Sequence, residues 1–364
     1  MILRQTLRRT FRISRRCFSE FGILTNEDVH KAVVSKSVKV AVLGADTPVG
    51  FYTTFLLKQN PLISHLYLFG SGRVICMADD LKSMDTKSKI TASYTNEELP
   101  GIVRGADIIA LMGMDTLSTQ THWLEIFYNE GRRLINLTEV IIKYNPKAIV
   151  LVCATPVSCT LPLVSSVFRR TPWYHPGKII GSPMVPVTKA NAVLGIYNEL
   201  DPEVIHTPVT GGPDMDCAVP LFAQGYPVEC WESEERALCC KFKELDEQDC
   251  PITTQCYVKP PGSYLMESFG ISRLISLIGL GYCGDTTALS RVFIRQSFIP
   301  SCKYLTCTVQ LGRDGVIHNF GVPFLTNFEL QFLERMVLVL AHREYVAEEF
   351  LRKEGSYYTG ECQN

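Results

Sequence analysis

The run Val40-Ala41-Val42-Leu43 is uninterrupted apolar sequence, closed by Gly44 and followed six residues later by Gly50. A strand buried on both faces reads this way, because helices must cover both sides of a parallel sheet. The pattern recurs. ADIIALMG (106–113) and AIVLVCA (148–154) are further apolar runs, and a shorter strand is expected at Leu66–Phe69. Helical stretches are expected between them at Phe51–Lys58 and around Trp123–Tyr144. Strands alternating with helices predict βαβ units and an α/β fold with a doubly wound parallel sheet.

Past residue 183 the grammar changes. Glycine and proline cluster at Gly211-Gly212-Pro213 and Pro260-Pro261-Gly262. Cys302–Leu311 alternates like an antiparallel strand before a turn at Gly312–Gly315, and Asn327 to about Arg352 has the period of a packed helix. These features predict a second, α+β domain. A chain of 364 residues has length for about two domains. The expected divisions are a leader at 1–18, a nucleotide-binding-like domain at 36–182, an α+β domain at 183–353 and a tail at 354–364.

The formal charge of -1 conceals an asymmetry. Arg4, Arg8, Arg9, Arg12, Arg15 and Arg16 fall in an acid-free start, so the remainder is acidic and ill suited to nucleic acid. Leu3, Leu7 and Phe11 lie opposite these arginines at helical spacing, the pattern of a mitochondrial transit peptide with cleavage after Phe18. A free basic tail is the alternative. The 14 cysteines include no CxxC pair, which suits free thiols in a reducing compartment better than a disulfide framework or a metal site. The uncharged run Ala148–Phe168 is broken by Pro156 and Pro162 and reads as strand, loop and helix, not as a membrane span.

Gly44-Ala45-Asp46-Thr47-Pro48-Val49-Gly50 lies where a Rossmann fold cradles a pyrophosphate, with glycine first and last and Thr47 in the middle. Thr47 adds bulk and Pro48 removes an N–H donor. Together with the LPLVSSVF block at 161–168, Leu200-Asp201-Pro202 and Val209-Thr210-Gly211-Gly212, this region resembles mitochondrial malate dehydrogenase, of the lactate/malate dehydrogenase family. The resemblance spans about Val38 to Val346. It implies a matrix NAD enzyme that interconverts malate and oxaloacetate, usually as a homodimer.

The family's functional positions fall on unexpected residues here. The catalytic histidine falls on Pro213 and its orienting aspartate on Pro186. The two arginines of the mobile loop fall on Leu117 and Trp123, the third substrate arginine on Lys189, and the asparagine of the Asn-Pro-Val turn on Thr155. At the cofactor, the ribose-binding acid falls on Gly70 and a further asparagine on Glu130, which is expected to repel phosphate. Gly44, Ala45, Thr47, Gly50 and Met266 complete the cofactor positions, with Gly44, Gly50 and Met266 retained.

Proline has no titratable group, so it cannot supply the roughly 10²- to 10⁴-fold that a positioned base contributes. Nor can leucine and tryptophan make the charge-assisted bonds of an arginine clamp. The sequence therefore predicts a malate-dehydrogenase-like protein without catalysis or a needed cofactor, kept for a structural or interaction role as a homodimer or beside an active relative. The alternative is an oxidoreductase with altered substrate or cofactor, including NADP through Ser71 and Arg73. His122, Asp214 and Asp216 are weighed as replacement bases, the two aspartates being expected as solvated loop acids. Trp123 is expected to pack or to meet a partner.

Overall fold

The computed structural model describes residues 37–114, 122–228, 230–243 and 264–358. The expected leader and Leu117 lie outside them. In the first half, β1 (Val38–Leu43), β2 (Ile63–Phe69), β3 (Lys89–Ser93), β4 (Ile108–Leu111), β5 (Ile149–Val152) and β6 (Ile179–Gly181) alternate with helices. These helices are α1 (Pro48–Lys58), α2 (Arg73–Lys82), α3 (Leu99–Arg104), α4 (Trp123–Tyr144) and α5 (Val157–Phe168). The strands order as β3-β2-β1-β4-β5-β6, all parallel. β4 and β5 are buried at every residue, as their apolar runs require.

The strand order reverses between β1 and β4, and the turns leaving their carboxyl ends form the crevice where such folds bind ligands. α1 starts there with proline at its first position, where a missing N–H costs no helical bond. The expected strand-loop-helix within 148–168 is β5 followed by α5, a helix buried at all 12 residues.

The second half contributes α6 (Met184–Tyr197), β7 (Val209–Gly211), β8 (Ala218–Pro220), α7 (Glu232–Lys243), α8 (Tyr264–Tyr282) and α9 (Asn327–Tyr358). β7 and β8 form a small antiparallel pair. β9 (Leu289–Arg295), β10 (Tyr304–Gly312) and β11 (Gly315–Asn319) do not make a separate sheet. They extend the first one, with β9 antiparallel to β6 at Gly181 and Phe293. The expected Gly312–Gly315 turn joins β10 to β11, and Gly315 takes φ 89° with its backbone tight against Gly177. α9 runs to Tyr358, past the expected end near Arg352. Among the described residues no helix is long and apolar enough to cross a membrane.

Candidate functional site

The nucleotide turn keeps its shape at both ends. Gly44 sits at φ 94°, and a Cβ there would lie 3.2 Å from the Met112 carbonyl oxygen at the end of β4. At Gly50 a Cβ would come 2.1 Å from the Gly44 carbonyl oxygen, so only glycine permits this close approach of helix to turn. Between them Ala45 is fully buried. Thr47, in place of the middle glycine, caps α1: its Oγ1 accepts from the Gly50 amide at 3.2 Å. That bond removes one donor from a phosphate, and Pro48 removes another.

At the end of β2, Gly70 leaves room that another side chain fills. A Cβ at Gly70 would lie 2.0 Å from Asp46 Oδ1. Ser71 Oγ donates to Asp46 Oδ2 at 2.5 Å, so the hydroxyl expected to favour NADP is engaged by a carboxylate. Arg73, the first residue of α2, is exposed.

The expectation for Glu130 is corrected. Its carboxylate is 2% exposed, accepts from the Met114 amide and pairs with Arg133 Nε at 3.1 Å. Arg133 also donates to the Met112 carbonyl and brings Nη1 within 3.7 Å of the Cβ point above Gly44. Glu130 therefore meets a cation and an N–H, and Met112 and the Arg133 guanidinium are the side chains nearest the turn at Gly44.

On the other side of the crevice, Pro213 and Thr155 line a small cleft with Cys153, Ser182, Asp214 and Glu267. Its free volume is about 30 Å³, enough for roughly one or two waters. Pro186 and Lys189 lie on α6; Pro186 is buried and does not reach the cleft, and Lys189 is half-buried. Met266 is half-buried on α8, beside Glu267, which does reach it. Burial pushes the Cys153 thiol well up, and the charge of Glu267 adds to the effect.

The aspartates after Pro213 are not the solvated loop acids expected. Asp214 accepts from the Val157 and Ser158 amides at 2.9 and 3.0 Å and from Ser158 Oγ at 2.5 Å. Its carboxylate thus caps α5, whose own cap position is Pro156 without a side-chain hydrogen bond. Arg343 of α9, 2% exposed, reaches Asp214 Oδ2 at 3.4 Å, Ser158 Oγ at 2.8 Å and both oxygens of Asp216. Burial pushes Asp214 up; for Asp216 burial acts the same way, but Arg343 and Lys243 outweigh it and hold the carboxyl low. Ligand atoms of Asp214, Asp216 and Cys217 lie within 4.8 Å of one another, but a guanidinium already neutralises them. They do not suit a metal ion.

Trp123 opens α4 and packs on the same arginine, with the guanidinium 4.8 Å from its ring centroid. His342 meets its edge at 6.2 Å. The packing expectation for Trp123 therefore holds. His122 caps α4 by accepting from the Leu124 amide at 3.3 Å, and it is not among the cleft-lining residues.

Sequence reasoning missed Asp46, Arg133, Glu267 and Arg343. A buried charge inside an apolar helical pattern was the available signal for Arg343. For Asp46 there was none, since its proximity to Gly70 arises from two different βα turns.

No protein-family model matches the chain. Mitochondrial malate dehydrogenases of Bos taurus and Homo sapiens are 25% identical to it over 318 residues, covering 87% of this chain and 92% of theirs. The apo malate dehydrogenase of Picrophilus torridus superposes with a TM-score of 0.69 at 15% identity, over 87% of this chain and 99% of that one. A lactate dehydrogenase from Cryptosporidium parvum, solved with lactic acid and nicotinamide adenine dinucleotide, gives 0.66 at 17% identity, over 86% and 98%. Alignment across most of both chains, on the strand order and crevice described above, makes this protein a distant homologue of mitochondrial malate dehydrogenase with the malate and lactate dehydrogenase fold.

Proposed function

We propose that this chain no longer interconverts malate and oxaloacetate, and that it serves a structural or interaction role in mitochondria. The observation that carries the reading is the cleft wall. Pro213 supplies no proton acceptor, and both oxygens of the neighbouring Asp214 are engaged by amides, a hydroxyl and Arg343. When bound, the dinucleotide of such enzymes supplies a hydride acceptor; the protein must supply the base and the anion clamp. Neither is offered by Pro213, Pro186 or Trp123, and Lys189 has charge without a planar fork.

A homodimer, or a pair with an active relative, would use the face of α1, α8 and α6. Phe51, Phe55, Leu265, Phe269 and Ile196 are exposed on these three helices, which pack side by side. Mitochondrial import would rest on the arginine-rich start.

The test is turnover of oxaloacetate with NADH by the purified chain lacking its first 18 residues. The expected rate is below about a hundredth of an ordinary enzyme's, a loss that absence of the base alone can produce. A rate above that overturns the reading. One observation favours a second reading, an NAD(P)-dependent oxidoreductase with a changed substrate: Glu267 and Cys153 bring chemistry to the cleft that the first does not use. Turnover of other 2-oxo acids, abolished in Glu267→Gln, would establish it.

A further inference from the structure

The acid missing from the end of β2 has a counterpart in the neighbouring turn, after β1. Asp46, in the turn after β1, places its carboxylate where a side chain at Gly70 would begin: Oδ1 and Cγ lie 2.0 and 2.7 Å from the Cβ point of Gly70. Ser71 Oγ holds Oδ2 at 2.5 Å and so fixes the orientation of the group. Asp46 is only half-buried, and its bond with Ser71 is exposed to solvent. We infer that Asp46 has taken over recognition of a ribose 2′,3′-diol, so that this chain binds NAD(H) and rejects its 2′-phosphorylated form.

The chemistry follows from the donors and acceptors. A vicinal diol presents two O–H donors, and a carboxylate offers two oxygens with about four lone-pair sites, only one of which Ser71 occupies. Such bonds are charge-assisted. A 2′-phosphate brought to the same carboxylate meets like charge, and the Ser71 hydroxyl that could have served it points at Asp46.

The remainder of the turn fits a dinucleotide with reduced phosphate contact. Gly44 and Gly50 keep the close helix-to-turn approach, and Arg133 brings a cation above Gly44. Thr47 takes the Gly50 amide and Pro48 has none, so fewer N–H groups face the pyrophosphate. Selectivity then falls more heavily on the diol. The inference concerns binding alone and is independent of the proposed loss of turnover, which a binding measurement does not touch.

Calorimetric titration of the purified chain with NADH and with NADPH tests it, alongside Asp46→Asn and the exchange Asp46→Gly/Gly70→Asp. NADH is expected to bind at least about tenfold more tightly than NADPH, and Asp46→Asn to weaken NADH by about tenfold or more, as loss of charged-acceptor bonds implies. The exchange is expected to restore NADH binding to within about threefold of the parent, since it returns the acid to the strand end. Absence of NADH binding by the parent, equal affinity for the two dinucleotides, or unchanged affinity in Asp46→Asn overturns the inference. If Asp46→Asn alters the thermal melt, the exchange decides: a folded exchange variant without NADH binding also overturns it.

Discussion

The two sides of the crevice hold their charges in opposite ways. On the nucleotide side, Gly44, Gly50 and Gly70 let neighbouring atoms approach the backbone closely, and Asp46 and Arg133 bring charges to its rim. On the substrate side, the charges face inward. Arg343 pairs with Asp214 and Asp216, and Asp214 also accepts from the first turn of α5. One side presents charged groups at its rim; on the other, charged groups are packed against one another. A buried guanidinium held by two carboxylates stabilises when complete and costs heavily when one partner is lost.

The largest expected effect tests that packing. Arg343→Met should destabilise the fold by about 3–5 kcal/mol, because it strands two buried carboxylates, measured by urea unfolding. Adding Asp214→Asn and Asp216→Asn should recover part of the loss; a cost below about 1 kcal/mol for Arg343→Met would mean that the triad is not structural. Next is Gly50→Ala, whose Cβ would collide with the Gly44 carbonyl 2.1 Å away. It should cost about 1–3 kcal/mol as an overpacked contact and weaken any dinucleotide binding, sharpening the contrast between the sides. Trp123→Ala should cost up to about 2 kcal/mol through loss of the contact with Arg343, and be nearly neutral once Arg343 is already replaced.

A smaller effect is expected with pH. His206, at the approach to β7, is lowered to about 4 by burial and then by Arg291 and Arg273. Between its ordinary value near 6.5 and about 4, the unfolded chain binds a proton that the folded chain does not. Stability should therefore fall as pH drops through that window, and His206→Gln should flatten the slope in a series of thermal melts. The smallest expected effect is none. On the proposed reading, Pro213→His with Pro186→Asp leaves malate turnover absent, since neither Trp123 nor Lys189 offers the planar fork of an arginine clamp. Turnover by that double variant would show that the substrate side is only missing residues and has not been rebuilt.

Local pattern made most of the architecture readable. Val40–Leu43, Ile108–Leu111 and Ile149–Val152 are apolar because both faces of their strands are covered, and that requirement is written in consecutive residues. The joining of β9 to β6 was not readable, because no local period encodes which edge a distant strand will find. The site divided likewise. The resemblance set Pro213 at a family site position, and in the fold it lines the cleft. Its neighbours Asp214 and Asp216 looked like solvent-facing acids, because the cation that buries them lies on α9, more than a hundred residues away.

That same junction of β6 with β9 bears on how the protein is made. Gly181 meets Phe293 only after the intervening second half has emerged, so the edge of β6 stays unpaired through much of synthesis. The first 182 residues are therefore a nascent unit with an open sheet edge, and they need the rest of the chain to close it. Expressed alone, residues 37–182 should associate or aggregate, and co-expression of residues 183–358 should return them to solution.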